Sequence, residues 1–181
     1  LWVFGDSFAY LHLQANTWPR QVATLLDQEL KCYGEGGSSL EYTYTQFNLV
    51  RNQIKYKDTV ILALTELNRR WFLKDRVTEN IWMIMNNRKD PKLSNALEYY
   101  LRYLDNTSVY ETYLQNFLYN LEYITTKLDL DTIILPGFIT SNEYLSRQNL
   151  NLTIAKGPLS QISLDEFHPK FDHTPLTTIS D

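Results

Sequence analysis

The sequence predicts an α/β fold built on a parallel sheet, and three observations carry that expectation. Three short, nearly continuous apolar runs stand far apart: LWVF at Leu1 to Phe4, DTVILAL at Asp58 to Leu64, and LDTIIL at Leu130 to Leu135. Runs of this length without polar alternation suit strands buried on both faces. Each run stops at a small, polar or ring-constrained group, Gly5-Asp6-Ser7, Thr65-Glu66 and Pro136-Gly137, as strands breaking into turns do. Between the runs lie longer stretches with apolar residues at helical spacing. Strands separated by helices imply a parallel sheet with helices on both faces.

The elements follow in order. LWVF is the first strand. WPRQVATLLDQELK places Trp18, Val22, Leu25, Leu26 and Leu30 near helical spacing, with Pro19 suited to a first helical turn. Lys31-Cys32-Tyr33 is a short second strand that ends in Gly34-Glu35-Gly36-Gly37-Ser38-Ser39. A second helix is expected over Leu40 to Gln53, and DTVILAL is the third strand. Residues 75 to 128 are polar and aromatic and carry two or three helical patterns. One is Leu97, Leu101 and Leu104; another is Tyr113, Phe117, Leu121, Ile124 and Leu128. This is more than one crossover needs, so a helical insertion at about 69–128 is expected inside a single domain spanning 1–181. LDTIIL is a further strand, and SLDEFHPKFD lies near the C-terminus.

Bulk properties narrow the function classes. A chain of 181 residues with 44% apolar content is one domain with enough material for a core. A net charge of -4 gives no basic footprint for nucleic acid, and no apolar run has the length of a membrane span. The one cysteine, Cys32, has no internal disulfide partner and reads as a buried structural thiol. The chain begins inside a strand-like run without an initiating Met, which fits a segment of a longer protein. With no signal segment in view, a cytoplasmic or virion-associated setting is expected. The Tyr-rich stretch from 99 to 123 suits core or interface more than a carbohydrate platform.

Nucleophilic ester chemistry needs a hydroxyl, a base, a group that orients the base, and donors for the oxyanion. The chain offers each at a strand end or in a loop that follows one. Ser7 ends the first strand, Gly36-Gly37-Ser38 follows the second, Thr65-Glu66-Leu67-Asn68 follows the third, and Asp165-Glu166-Phe167-His168 stands near the C-terminus. Strand carboxyl ends of a parallel sheet share one edge, so these loops converge. Asp165 and His168 are three apart, which makes neighbours on a helical turn. His12 has no carboxylate three or four residues away, and His173 follows Asp172 directly, so both rank below His168. Asp6 reads as a turn residue bonding nearby backbone. Arg69-Arg70-Trp71 reads either as a solvated, partly packed loop or as a rim touching an acidic or sugar substrate.

Gly5-Asp6-Ser7, a Gly after the second strand, an Asn after the third and Asp-x-x-His near the C-terminus resemble the SGNH hydrolases, also called GDSL-like hydrolases. The likeness runs across nearly the whole chain. It implies a three-layer α/β/α flavodoxin-like fold, no metal or cofactor, and cleavage of carboxylic esters, thioesters or acetyl groups on sugars. It implies Ser7 as nucleophile, His168 as base and Asp165 as its partner. The oxyanion donors would be the backbone N–H of Ser7, the backbone N–H of Gly37 and the side-chain amide of Asn68. Gly37 is preferred to Gly36 because the family's Gly precedes a short polar pair, here Ser38-Ser39. The family shows Gly-x-Asn-Asp after its third strand, whereas Thr65-Glu66-Leu67-Asn68-Arg69 stands here. Without a gap, Leu67 takes the Asn position, and Thr65 or Glu66 then contacts the site; Thr65 and Arg69 are the expected substrate contacts. The TELNRRW form also resembles divergent hydrolase-like domains of bacteriophage proteins. A hydrolase scaffold that has lost catalysis and serves as a binding or structural module, for example in a virion, is therefore the second expectation.

Overall fold

A computed structural model describes residues 1–11, 17–67, 69–71 and 91–157. Among the described residues five strands form one sheet: β1 (Trp2–Gly5), β2 (Lys31–Gly34), β3 (Thr59–Leu64), β4 (Asp131–Pro136) and β5 (Thr153–Ile154). Their order is β2-β1-β3-β4-β5 and every pairing is parallel. The helices are α1 (Trp18–Leu25), α2 (Leu40–Val50), α3 (Pro91–Tyr103), α4 (Thr107–Leu128) and α5 (Ile139–Ser146). The α/β class and parallel sheet predicted from the sequence are those observed.

The continuous apolar runs are explained by burial on both sheet faces. Trp2, Phe4, Val60, Leu62 and Leu64 face one side, where α2 brings Phe47 and Val50 and α4 brings Leu114, Phe117, Leu118 and Leu121. Leu1, Val3, Ile61 and Ala63 face the other, where α1 supplies Trp18, Val22 and Ala23. The aromatic residues lock the larger side together: Phe47 meets Phe4 and Phe117, each at 5.6 Å between ring centres.

Several elements differ from the expectation: α2 stops at Val50, short of Gln53, α5 and β5 were not expected, and two further differences concern α1 and the helices between β3 and β4. The pattern starting at Trp18 predicts a helix reaching Leu30, but α1 ends at Leu25, which is 84% exposed. The chain has to straighten there to enter β2: the Leu1 amino group donates to Glu29 O at 2.8 Å, and Lys31 N donates to Leu1 O at 2.8 Å. Asp27 makes the turn at φ 51°. The helical material between β3 and β4 also divides unequally. α4 is a core helix with five buried residues, while α3 buries Leu97 alone and leaves Leu101 exposed, as is Leu104 just past its end. The tyrosines divide in the same way: Tyr110 is buried, whereas Tyr99, Tyr103, Tyr119 and Tyr123 face solvent. Among the described residues no helix is long and apolar enough to cross a membrane.

Candidate functional site at the carboxyl edge of the sheet

The order β2-β1-β3 places β1 where the direction of the connections reverses, and open parallel sheets bind ligands in the crevice there. β1 ends at Gly5, paired with Gly34 on one side and Ala63 on the other. The chain then closes a tight turn. Ala9 N donates to Asp6 O at 3.0 Å and Tyr10 N to Ser7 O at 3.3 Å. The Asp6 carboxylate accepts from Phe8 N at 3.0 Å, bonding two residues ahead as Asx turns do. Ser7 sits on this turn, half-buried, at the carboxyl end of a strand with a neighbour on each side.

The loop after β2 docks on the same strand end. Gly5 O accepts from Glu35 N at 3.4 Å and, at the long distance of 3.5 Å, from the Ser38 hydroxyl. Gly37 lies at φ 69°, a left-handed conformation that glycine adopts without a Cβ clash. Ser38 and Ser39 are fully buried, and Ser39 caps α2 by accepting from Tyr42 N at 3.4 Å. The glycine-rich loop thus ends against the first turn of α2 beside the Ser7 turn.

The loop after β3 closes the other flank. Thr65, 1% exposed, donates its hydroxyl proton to Asp6 Oδ2 at 2.7 Å. Arg69 Nη1 donates to the same oxygen at 3.3 Å. Its guanidinium lies 4.5 Å from the centre of the Phe138 ring, and Phe138 in turn meets the Phe8 ring edge-on at 5.3 Å. Gly137 N donates to Leu64 O at 2.8 Å, so the loop after β4 also joins this edge. Loops after four strands meet around Asp6 and Ser7.

Asp6 has a larger part than the turn role read from sequence. It is fully buried and joins the Ser7 turn to the loop after β3. Burial pushes its carboxyl above the ordinary value of 3.8, against the opposing pull of Thr65, the Phe8 amide and Arg69. A carboxyl raised on folding holds its proton more tightly in the native state. Stability from this group therefore falls as pH rises from about the ordinary value through the raised one, and is flat above it. Wild type should lose stability relative to Asp6→Asn across that rise, in urea unfolding followed from pH 4 to pH 7. A constant difference between the two proteins would show that Asp6 does not titrate in this way.

Arg70 departs from the solvated-loop reading. It is 8% exposed, its Nη2 lies 2.7 Å from Glu41 Oε1, and its guanidinium stacks 3.7 Å from the Tyr110 ring centre. Glu41 also accepts from Trp71 N at 3.3 Å. Arg69 reaches inward to Asp6 instead of forming an open rim. Cys32 is half-buried, bonds Ala9 O at 2.9 Å, and burial pushes its thiol up to about 11. It stays protonated, in keeping with a structural role.

Of the predicted site residues, Ser7, Gly37, Thr65 and Arg69 belong to this one edge. Asn68, Asp165 and His168 lie outside the described residues, as do His12 and His173. Sequence reading missed Glu41 and Phe138. An acidic residue in a first helical turn is ordinary, and nothing in the sequence ties Glu41 to an arginine 29 residues later. No family model matches this chain, and no curated protein or solved structure matches it.

Proposed function

We propose that this chain is a serine hydrolase of the SGNH type, acting on a carboxylic or acetyl ester, with Ser7 as its nucleophile. The observation that carries this reading is the setting of Ser7. It stands half-exposed on a tight turn at the carboxyl end of β1, at the sheet's switch point, with the left-handed Gly37 loop docked on the same strand end. The strand order is that of flavodoxin-like folds, and it supports the three-layer α/β/α form of that reading.

In this mechanism the Ser7 hydroxyl attacks the ester carbonyl carbon while His168, oriented by Asp165, takes its proton. The negative charge that develops on the carbonyl oxygen is met by the N–H groups of Ser7 and Gly37 and by the Asn68 amide. Collapse of the tetrahedral intermediate expels the alcohol, which takes the proton from His168. Water then attacks the acyl-Ser7 ester by the same route and releases the acid. Thr65 has its hydroxyl proton engaged with Asp6, so the third donor falls to Asn68. No metal or redox group enters these steps. The substrate is a small ester or an acetylated sugar.

A serine-directed fluorophosphonate probe tests the reading. The expected result is covalent labelling at Ser7 together with turnover of a short activated ester. A folded chain inert to both would instead be a binding or structural module on a hydrolase scaffold, the reading that the altered Thr65-Glu66-Leu67 segment favours.

A further inference from the structure

The serine-hydrolase reading leaves one feature of the carboxyl edge without a role. Two consecutive arginines leave the loop after β3 and pair with carboxylates on different segments. Arg69 Nη1 bonds Asp6 Oδ2 at 3.3 Å, and Asp6 directly precedes Ser7. Arg70 Nη2 lies 2.7 Å from Glu41, in the first turn of α2, directly after Gly37-Ser38-Ser39-Leu40. Asp6 thus adjoins the first of the two backbone donors assigned to the oxyanion, and Glu41 begins the helix into which the Gly37 loop, carrying the second, runs. Neither pair is a loose surface contact: the side chains of Asp6 and Arg70 are 1% and 9% exposed.

We propose that Arg69 and Arg70 are positioning residues, which tie the loop after β3 to the Ser7 turn and to the Gly37 loop and so fix the spacing of the oxyanion donors. This rests on the hydrolase reading. Lifting the loop from the Ser7 turn breaks the bonds of Thr65 and Arg69 to the buried Asp6, and lifting it from α2 strips the buried Arg70 charge of Glu41, which is strongly unfavourable. Further contacts make both ties directional. The Arg69 guanidinium lies 4.5 Å from the centre of the Phe138 ring, which packs on Phe8, the residue after Ser7. Arg70 stacks on Tyr110 of α4. Among the described residues its Nε and Nη1 are buried without hydrogen-bond partners, and Glu41 and the ring are what hold it. Planar stacking and a fixed fork are properties of arginine that lysine lacks.

The test is a kinetic cycle on a short activated ester with Arg69→Gln, Asp6→Asn and the double variant, each checked for a cooperative thermal transition. Misplacing reacting groups by about 1 Å costs about 100-fold. Each single variant is expected to lower kcat by about 10- to 100-fold with KM nearly unchanged. The double variant should be close to the poorer single, because each single already removes the Arg69–Asp6 bond, and the other contacts of the two residues, Asp6 with Thr65 and Phe8 N and Arg69 with Glu66 and Phe138, are not shared. Arg69→Lys should recover part of the loss by restoring the charge without the stacking. Arg70→Lys should lower kcat in the same manner; if it fails to fold, the partly exposed Arg69 decides. Effects that multiply in the double variant, a loss confined to KM, or full kcat in Arg69→Gln would overturn the proposal. A wild type that labels and turns over while both arginine variants keep full kcat would overturn this inference alone. A wild type inert to probe and ester would overturn the hydrolase reading and this one with it.

Discussion

Ser7→Ala is expected to abolish ester turnover while leaving the fold intact. Removing the nucleophile of a serine triad lowers kcat by about 10⁴-fold or more, leaving only what binding and the oxyanion donors supply. The fold should survive because the turn around Ser7 is held by other groups. The bonds from Ala9 N to Asp6 O, from Tyr10 N to Ser7 O and from Phe8 N to the Asp6 carboxylate all persist without the Ser7 hydroxyl. Exchange of a half-buried serine for alanine, with no volume added, should change stability by about 1 kcal/mol or less. The measurement is kcat on a short activated ester beside a thermal melt. A folded Ser7→Ala protein with wild-type turnover would remove Ser7 from the mechanism and with it the proposed activity.

What the sequence disclosed and what it withheld follow from the range of the interactions involved. β3 was legible because Val60 to Leu64 are buried on both faces and carry that burial as an unbroken apolar run. The same holds for β1, and from these strands the parallel sheet and the edge carrying Ser7 and Gly37 could be placed. α4 was legible because Tyr113, Phe117, Leu121, Ile124 and Leu128 repeat at helical spacing over a long stretch, and its buried face adds Leu114 and Leu118. β5 was not: two residues, Thr153 and Ile154, have no period, and their strand character comes from pairing with Ile133 and Ile134 of β4. The early end of α1 was also hidden, because Leu25 and Leu26 continue the helical pattern while the chain needs that length to reach β2. Arg70 was read with its neighbours either as part of a solvated, partly packed loop or as a substrate rim, because a charged residue after a strand ordinarily faces outward. Its burial depends on Glu41 and Tyr110, which only the completed sheet brings within reach. Asp6 was read through its own turn, and its bonds to Thr65 and Arg69 span 59 and 63 residues.

Gly34→Ala is expected to be among the most damaging single substitutions in the chain, although it adds only one methyl group. Gly34 ends β2 directly against the Ser7 turn. A Cβ at this position would lie 2.3 Å from Ala9 C, 2.4 Å from Ala9 O and 2.7 Å from Tyr10 N. All three are backbone atoms, so no side-chain rotation relieves the overlap. Ala9 itself is fully buried and its carbonyl already accepts from the Cys32 thiol, so the turn can yield only by moving away from β2 as a body. Overpacking of a close-packed site costs about 1–3 kcal/mol and occasionally more, and a clash of backbone with backbone belongs at the upper end. The same displacement carries Ser7 away from Gly37. On the scale of about 100-fold per ångström of misplacement, kcat should fall by at least that factor in whatever fraction remains folded. Gly36→Ala is the control two residues on, where an added Cβ meets nothing within 4 Å, and its stability should lie within about 0.5 kcal/mol of wild type. Urea unfolding and ester kinetics on the pair separate the outcomes. If Gly34→Ala proves as stable and as active as Gly36→Ala, the nucleophile turn does not rest on β2, and the geometry that places Ser7 at the switch point is wrong.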